Sequence, residues 1–276
     1  MTNQFSAKKA FTLLELLVTI AIIGILAALL LSALAGAKMK AQLRACNGDL
    51  RQLSIACAMY AHDNNSRIVS SWPLGWGQYV VNPYSWCPGW ASISQPQNPL
   101  YGPAPQFSAT NVYALQQGAI WTYMRSAQPY RCPADNRSQG GVPVVRSYSM
   151  NSWVCGRSKG DPTGASTYPT PEYDSTLTYT LYRREPDFQQ PDKTWVLIDE
   201  DASTINDSLF LVDMSPANGV FDLPATRHAT TYDLTFEDGH VDNIRWQGPA
   251  TGWDAQTAAG PDADWVTLKS MSTFKR

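Results

Sequence analysis

Hydrophobic and polar positions change their rhythm three times along the chain. From 16 to 37 there is no charged side chain, and Leu, Ile and Ala dominate. As a helix at about 1.5 Å per residue this stretch covers roughly 33 Å, enough to cross a hydrocarbon core of ~30 Å, so the pattern predicts a transmembrane helix. The next stretch is periodic. Met39, Leu43, Cys46, Leu50, Leu53, Cys57 and Tyr60 recur every three or four residues, with Lys40, Arg44, Asp49, Arg51 and Gln52 in other phases. That spacing predicts an amphipathic helix with one apolar stripe. No Pro interrupts 11–61, so both stretches read as one rod of roughly 75 Å with Gly24, Gly36 and Gly48 as soft points. The cluster His62-Asp63-Asn64-Asn65-Ser66 predicts the turn that ends it.

Beyond this the pattern is that of a β-rich head. Residues 68–110 are dense in Pro, Trp, Gly and Asn and predict irregular, aromatic-packed loops, followed by a short helix over 111–124. Strands are expected at 147–154, 177–183, 194–198, 209–212, 232–236 and 241–246, with an inserted loop at 158–174. Glu237-Asp238-Gly239 separates the last two and predicts a hairpin. A long helix against an antiparallel sheet is an α+β class. No internal repeat is present.

Charge placement sharpens the membrane reading. Lys8 and Lys9 precede the apolar run while Lys38, Lys40 and Arg44 follow it, so the basic flanks leave orientation open. The run is longer than a secretory h-region of about 7–15 residues, and no small-x-small site with a polar flank closes it. Glu15 lies one turn inside the apolar stretch, where an unpaired carboxylate costs several kcal/mol.

The segment Lys8-Lys9-Ala10-Phe11-Thr12-Leu13-Leu14-Glu15, continuing through Leu16-Leu17-Val18-Thr19-Ile20-Ala21-Ile22-Ile23, resembles the N-terminal signal of type IV pilins and type II secretion pseudopilins. The resemblance implies cleavage by prepilin peptidase between Ala10 and Phe11, with N-methylation at Phe11. The family places Gly before the cut, and Ala10 is the least disruptive replacement. The family's intramembrane glutamate corresponds to Glu15, which would pair with the new α-amino group of a neighbouring subunit and set register between subunits. The implied organisation is a cytoplasmic leader at 1–10, a transmembrane helix at 11–37, an amphipathic continuation at 38–62 and an exported head at 63–276. The implied location is the bacterial inner membrane, single-pass, with the head periplasmic or at the cell surface after assembly. The implied partners are prepilin peptidase, other copies or other pseudopilins along the N-terminal helix, and an inner-membrane assembly platform.

A second resemblance covers the head. His228, followed after nine residues by Asp238-Gly239, resembles the H-X9-DG motif at 228–239 of a pilin-like family found in Planctomycetes, Verrucomicrobia and Lentisphaerae. Its supporting pieces are Asn47-Gly48-Asp49-Leu50-Arg51-Gln52-Leu53, Met59-Tyr60-Ala61-His62-Asp63-Asn64, Tyr130-Arg131-Cys132-Pro133, Ser147-Tyr148-Ser149-Met150-Asn151, Ile198-Asp199-Glu200 and Pro224-Ala225-Thr226-Arg227-His228. Ser32 stands where that family usually has Pro, which implies a straighter rod.

Candidate chemistry in the head is sparse. His228, Asp238 and His240 are two imidazoles and a carboxylate that could converge. The simpler expectation is that Asp238-Gly239 builds the turn and His228 hydrogen-bonds nearby. Asp199, Glu200 and Asp201, with Asp207 and Asp213 close in sequence, are oxygen-ligand candidates for calcium, although no EF-hand spacing is present. Cys46 and Cys57 sit about 16 Å apart along one helix. That exceeds the ~7 Å a disulfide allows, so any bridge from the helix must reach Cys87, Cys132 or Cys155, with Cys132 the favoured partner. With no C-x-x-C and only three His, a zinc cluster is not expected. No nucleophile or phosphate-loop motif points to an enzyme.

Composition adds two exclusions. At 44% hydrophobic and 16% charged the chain is too apolar to be disordered. A net charge of −2 provides no basic field for nucleic acid, and loss of Lys8 and Lys9 on cleavage makes the mature chain more acidic. All 10 Trp lie at or beyond Trp72, where they are expected to fill a loop-rich core. A glycan-binding face on a membrane-anchored, non-polymerising surface protein is the alternative. The sequence therefore reads as a structural filament subunit with no cofactor.

Overall fold

A computed structural model describes residues 12–73, 82–93, 107–155, 179–212, 214, 221–247 and 263–275. The sequence-predicted cleavage junction at Ala10 and Phe11, the inserted loop at 158–174 and Asp213 lie outside them. The chain forms two compact units, Met1–Ala41 and Gln42–Arg276. Helix α1, Leu13–Asp63, runs from the first into the second.

In the first unit the helix is apolar all round. Its large side chains from Leu13 to Leu34 are 47–81% exposed. The helix is long and apolar enough to cross a membrane by length and composition. Its start is a reciprocal cap. The Thr12 hydroxyl accepts the Glu15 backbone N–H at 3.2 Å, and the Glu15 carboxylate accepts the Thr12 backbone N–H at 2.9 Å. This is a capping box, which satisfies two of the amide donors that a helix N-terminus leaves unpaired.

In the second unit the periodic stripe is a core element. Cys46, Leu50, Leu53, Ala56, Tyr60 and Ala61 are buried, Leu43 is half-buried and Met39 is exposed. Asp49 departs from the expected polar face. It is buried, and both its carboxylate oxygens accept from Gln128 Nε2, at 3.0 and 3.2 Å. Asn65 and Ser66 end the helix in left-handed conformations, at φ 57° and 60°, and Ser66 N–H donates to the Ala61 carbonyl. This is the 6→1 closure of a Schellman-type end.

The predicted helix over 111–124 is two short turns, α2 (Tyr113–Gln116) and α3 (Trp121–Met124). The break falls at Gly118, where the backbone runs so close to Trp86 that an added Cβ would lie 2.4 Å from the Trp86 carbonyl oxygen. A small hairpin, β1 (Ser138–Gln139) with β2 (Val142–Pro143), was not foreseen.

The main sheet has five strands: β3 (Tyr148–Asn151), β4 (Trp195–Asp199), β5 (Leu209–Phe210), β6 (Thr231–Phe236) and β7 (Val241–Arg245). Their order is β5-β3-β4-β6-β7. All pairs are antiparallel except β3 with β5, which is parallel, so the sheet is mixed. The described part of 177–183 forms isolated bridges, Tyr179 to Lys275 and Tyr182 to Val154, in place of a strand. A C-terminal helix α4, Ala263–Ser270, completes the order. It packs on the sheet through Trp265 against Phe210, and Trp195 Nε1 donates to the Ser272 hydroxyl just beyond it.

The aromatics serve the core, as the sequence suggested. Trp86, Trp153 and Trp195 are buried, and each indole N–H has an acceptor, respectively the Ser208 carbonyl, the Val212 carbonyl and the Ser272 hydroxyl. Trp246 and Trp265 are buried as well. Large buried rings contribute area, and their polar edges need a partner.

The β6–β7 hairpin is the one the Asp-Gly signal predicted. Gly239 takes φ 87° and donates to the Phe236 carbonyl, while Phe236 N–H donates to the His240 carbonyl. This is a three-residue loop closed by a left-handed glycine. Glu237 in that loop is pushed up to about 8 by burial, with Glu185 and Asp238 adding repulsion.

Two outcomes follow for the full chain in detergent. Gly118→Ala lowers the chemical unfolding free energy by about 1–3 kcal/mol, because backbone on both sides of the new methyl must shift. A value equal to wild type would show that the loop relaxes freely. For Glu237 the folded pKa lies above the unfolded value of about 4.3. The stability tied to its neutral form is therefore complete below that value and is lost as pH rises through about 8. The wild-type minus Glu237→Gln difference in thermal midpoint should accordingly become more negative between about pH 5 and 8. A pH-independent difference would refute the assignment.

Candidate functional site

Two groups of residues bear on function, one in each unit. The first is the N-terminal end of α1, where Glu15 closes the capping box with Thr12 and the Thr12 hydroxyl also donates to the Glu15 carboxylate at 2.9 Å. A carboxylate in an otherwise apolar helix end thus has a local role, offsetting orphan amides and the positive end of the helix dipole.

The second group is buried in the head. Cys46 from α1, Cys132 from the loop before β1, Asp199 at the end of β4 and His228 just before β6 bring one donor atom each within 4.8 Å of one another. Cys132 Sγ lies 3.2 Å from His228 Nε2, and Cys46 Sγ lies 3.1 Å from the Tyr148 hydroxyl. Asp233 Oδ2 faces His228 Nε2 at 3.5 Å. Its other oxygen accepts from Asn243 Nδ2 at 2.7 Å, and Asn243 exchanges amide hydrogen bonds with Asn47 on α1. The helix is therefore tied to β6 and β7 through polar side chains as well as through its apolar stripe.

Arg227 holds the acidic side of this group. Its guanidinium pairs with Asp199 Oδ1, donates to the Glu200 carbonyl at 3.0 Å and lies 3.7 Å from Asp135 Oδ2. Asp135 is further held by Arg137, through several N–H donors, and by the Ser147 hydroxyl at 2.6 Å. Burial works against the Asp135 carboxylate, yet Arg137, Arg227 and Ser147 bring its pKa down to about 2. Burial pushes the Asp199 carboxyl up, against the pull of Arg227. The hydrogen bond with Cys46 lowers the Cys132 thiol, opposed by burial and assisted by His228. Burial disfavours the His228 cation, but Cys132 and Asp233 outweigh it and raise the imidazole. Ala229 and Thr230, immediately after His228, have φ of 54° and 68°. For a β-branched residue that conformation is strained.

The sequence candidates are distributed as follows. His228 and Asp238 do not converge. His228 precedes β6 and is buried, whereas Asp238 lies in the loop after β6, where its carboxylate accepts the His240 backbone N–H at 3.0 Å and faces the His240 ring. The proposed calcium ligands have separate partners. Asp199 pairs with Arg227. Glu200 is fully buried with Arg146 and Asp222 in its electrostatic surroundings, and Asp201 caps the Ser203 turn. Of the disulfide candidates, Cys46 and Cys132 meet as thiols, and Cys57 and Cys87 are thiols elsewhere in the same core. Two cysteines, a histidine and a carboxylate that the sequence did not place together do gather here. Spacing could not show this, since the four residues come from four segments of the chain.

Arg227, Asp135, Arg137, Asp233 and Tyr148 were not singled out from the sequence as members of one site. A signal was nevertheless present. Asn47, Cys132, Tyr148 and Asp199 fall in four separate pieces of the head resemblance and Arg227 with His228 in a fifth, and the fold collects those pieces into this one network.

The chain matches no curated protein and no solved structure. Residues 5–31 match the family model described as the prokaryotic N-terminal methylation motif, which supports a pilin-type protein that is processed by prepilin peptidase and assembles with other pilin-type subunits.

Proposed function

We propose that the chain is a structural subunit of a type II secretion pseudopilus or a type IV pilus-like filament, without catalytic activity. The observation that supports this best is the match of residues 5–31 to the methylation motif at the start of a helix whose apolar side chains are exposed on every face. A helix of that kind needs lipid or other helices around it. In this reading the leader remains cytoplasmic and the head is exported. Prepilin peptidase cuts between Ala10 and Phe11, and an inner-membrane platform then packs the α1 helices of successive subunits together. The methylated amino terminus of one subunit pairs with Glu15 of its neighbour, so that the intramembrane carboxylate gains a counter-charge only in the assembled register.

The capping box makes the role of Glu15 separable into two parts. Glutamine satisfies a capping box as glutamate does but carries no charge. Intersubunit charge pairing therefore predicts that Glu15→Gln and Glu15→Ala both abolish filaments while leaving membrane insertion intact. A purely local capping role predicts that Glu15→Gln assembles normally, and that result would remove charge pairing from the model. Mass spectrometry of the membrane-extracted protein should find an N-terminus at methylated Phe11. An intact Met1 or a cut near Ala37 would refute the processing. Pairs of cysteines placed along 16–35 should crosslink into ladders, whereas a membrane-anchored surface binding protein, glycan-binding or otherwise, would yield monomers.

A further inference from the structure

We propose that Cys46, Cys132, His228 and Asp199 bind one divalent transition metal ion, zinc by the chemistry of the ligands, as a structural staple of the head. The donors are two thiols, an imidazole and a carboxylate, all buried, with their donor atoms within 4.8 Å of one another. That is the ligand set and the closeness a tetrahedral zinc site requires, with Zn–S of about 2.3 Å and Zn–N or Zn–O of about 2.0–2.2 Å.

A second observation points to a ligand independently of this gathering. Asp199 Oδ2, in a residue that is 0% exposed, is buried without a hydrogen-bond partner and is the oxygen an ion would take up; His228 Nδ1 and Asp233 Oδ2 beside it are also without one and lie outside the donor set, since the imidazole presents Nε2 to Cys132. Buried polar atoms are ordinarily satisfied, and an orphan among the donors calls for a missing partner. A Cys46–Cys132 disulfide would join the two sulfurs, yet it would leave the imidazole and the carboxylate as they are. A metal ion engages all four groups.

The charge balance also closes. Binding displaces to solvent the protons held by the ligand groups, so that the ion meets two thiolates, a neutral imidazole and a carboxylate. The two thiolates and the Asp199 carboxylate then carry three negative charges, opposed by the dication and by the Arg227 guanidinium that already pairs with Asp199. Four protein ligands fill the coordination shell, so the site has no open position for substrate and is structural in type. It fastens α1 to the loop before β1, to β4 and to the entry of β6, which are the elements that set the sheet against the helix.

The test uses the full chain, purified in detergent under reducing conditions without chelator. Elemental analysis should find one zinc per chain. Unfolding in chelator should expose five reactive thiols, and chelator alone should lower the thermal midpoint. Exchange for cobalt should produce the intense visible d–d bands and near-ultraviolet charge-transfer band of tetrahedral thiolate coordination. Cys132→Ser and His228→Ala should lose stoichiometric cobalt binding, while Cys87→Ser, a buried cysteine outside the group, should retain it. The cobalt spectrum of the unsubstituted protein keeps the test independent of whether the variants fold. The proposal is overturned if the reduced protein neither retains zinc nor yields that spectrum, or if peptide mapping without reductant finds Cys46 joined to Cys132.

Discussion

Burying charge next to thiols is the constraint on which the head depends. Asp135, Asp199 and Asp233 are essentially removed from water, and isolated carboxylates in such a place would cost more than a domain's net stability allows. Arg227 makes the arrangement tenable by facing Asp199 and Asp135 at once, and Arg137 completes the neutralisation of Asp135. Asp199 also lies beside Cys46 of α1, so the guanidinium that neutralises it acts where the helix meets the sheet. Apolar packing by Leu50 and Leu53 supplies contact area without direction. The polar partners of Cys46 and Asn47, namely Tyr148 and Asn243, supply the register.

The two units separate two physical tasks. Among the described side chains in the first half of α1, Thr12, Glu15 and Thr19 make local hydrogen bonds, and the large apolar side chains are exposed. This half is suited to surroundings supplied by lipid or by identical helices. The second half gives its stripe to the head and leaves a mixed outer face, where Arg44, Arg51 and Gln52 stand with the exposed Ile55 and Met59. Helix α1 runs through both units, and its exposed apolar side chains and those buried in the head lie on different stretches of it.

Much of this organisation was legible in the residues. The 4-3-4-3 spacing from Met39 to Tyr60 located the docking stripe because helical periodicity depends only on local geometry. Asp238-Gly239 located the last hairpin because a left-handed glycine is a local requirement. Other features were not legible, for definite reasons. Asp49 is buried only because Gln128, distant in sequence, meets it. The helix over 111–124 breaks because Trp86 leaves no room beside Gly118. The parallel pairing of β5 with β3 arises from a connection that strand propensity does not specify. In each case the deciding contact comes from another part of the chain.

The same division applies to function. The sequence by itself determined that the chain begins with a prepilin-type signal, that one helix is apolar enough for a membrane and that an α+β head follows, since these depend on hydropathy, period and local turn chemistry. It also supplied, in scattered short pieces, most of the residues that matter in the head. Only the tertiary structure decided that Cys46, Cys132, Asp199 and His228 share one buried place and that Asp238 lies apart from His228. The reason is that chemistry at a site depends on distances of a few ångströms. Those distances are set by how the helix and the strands pack, which no spacing along the chain encodes.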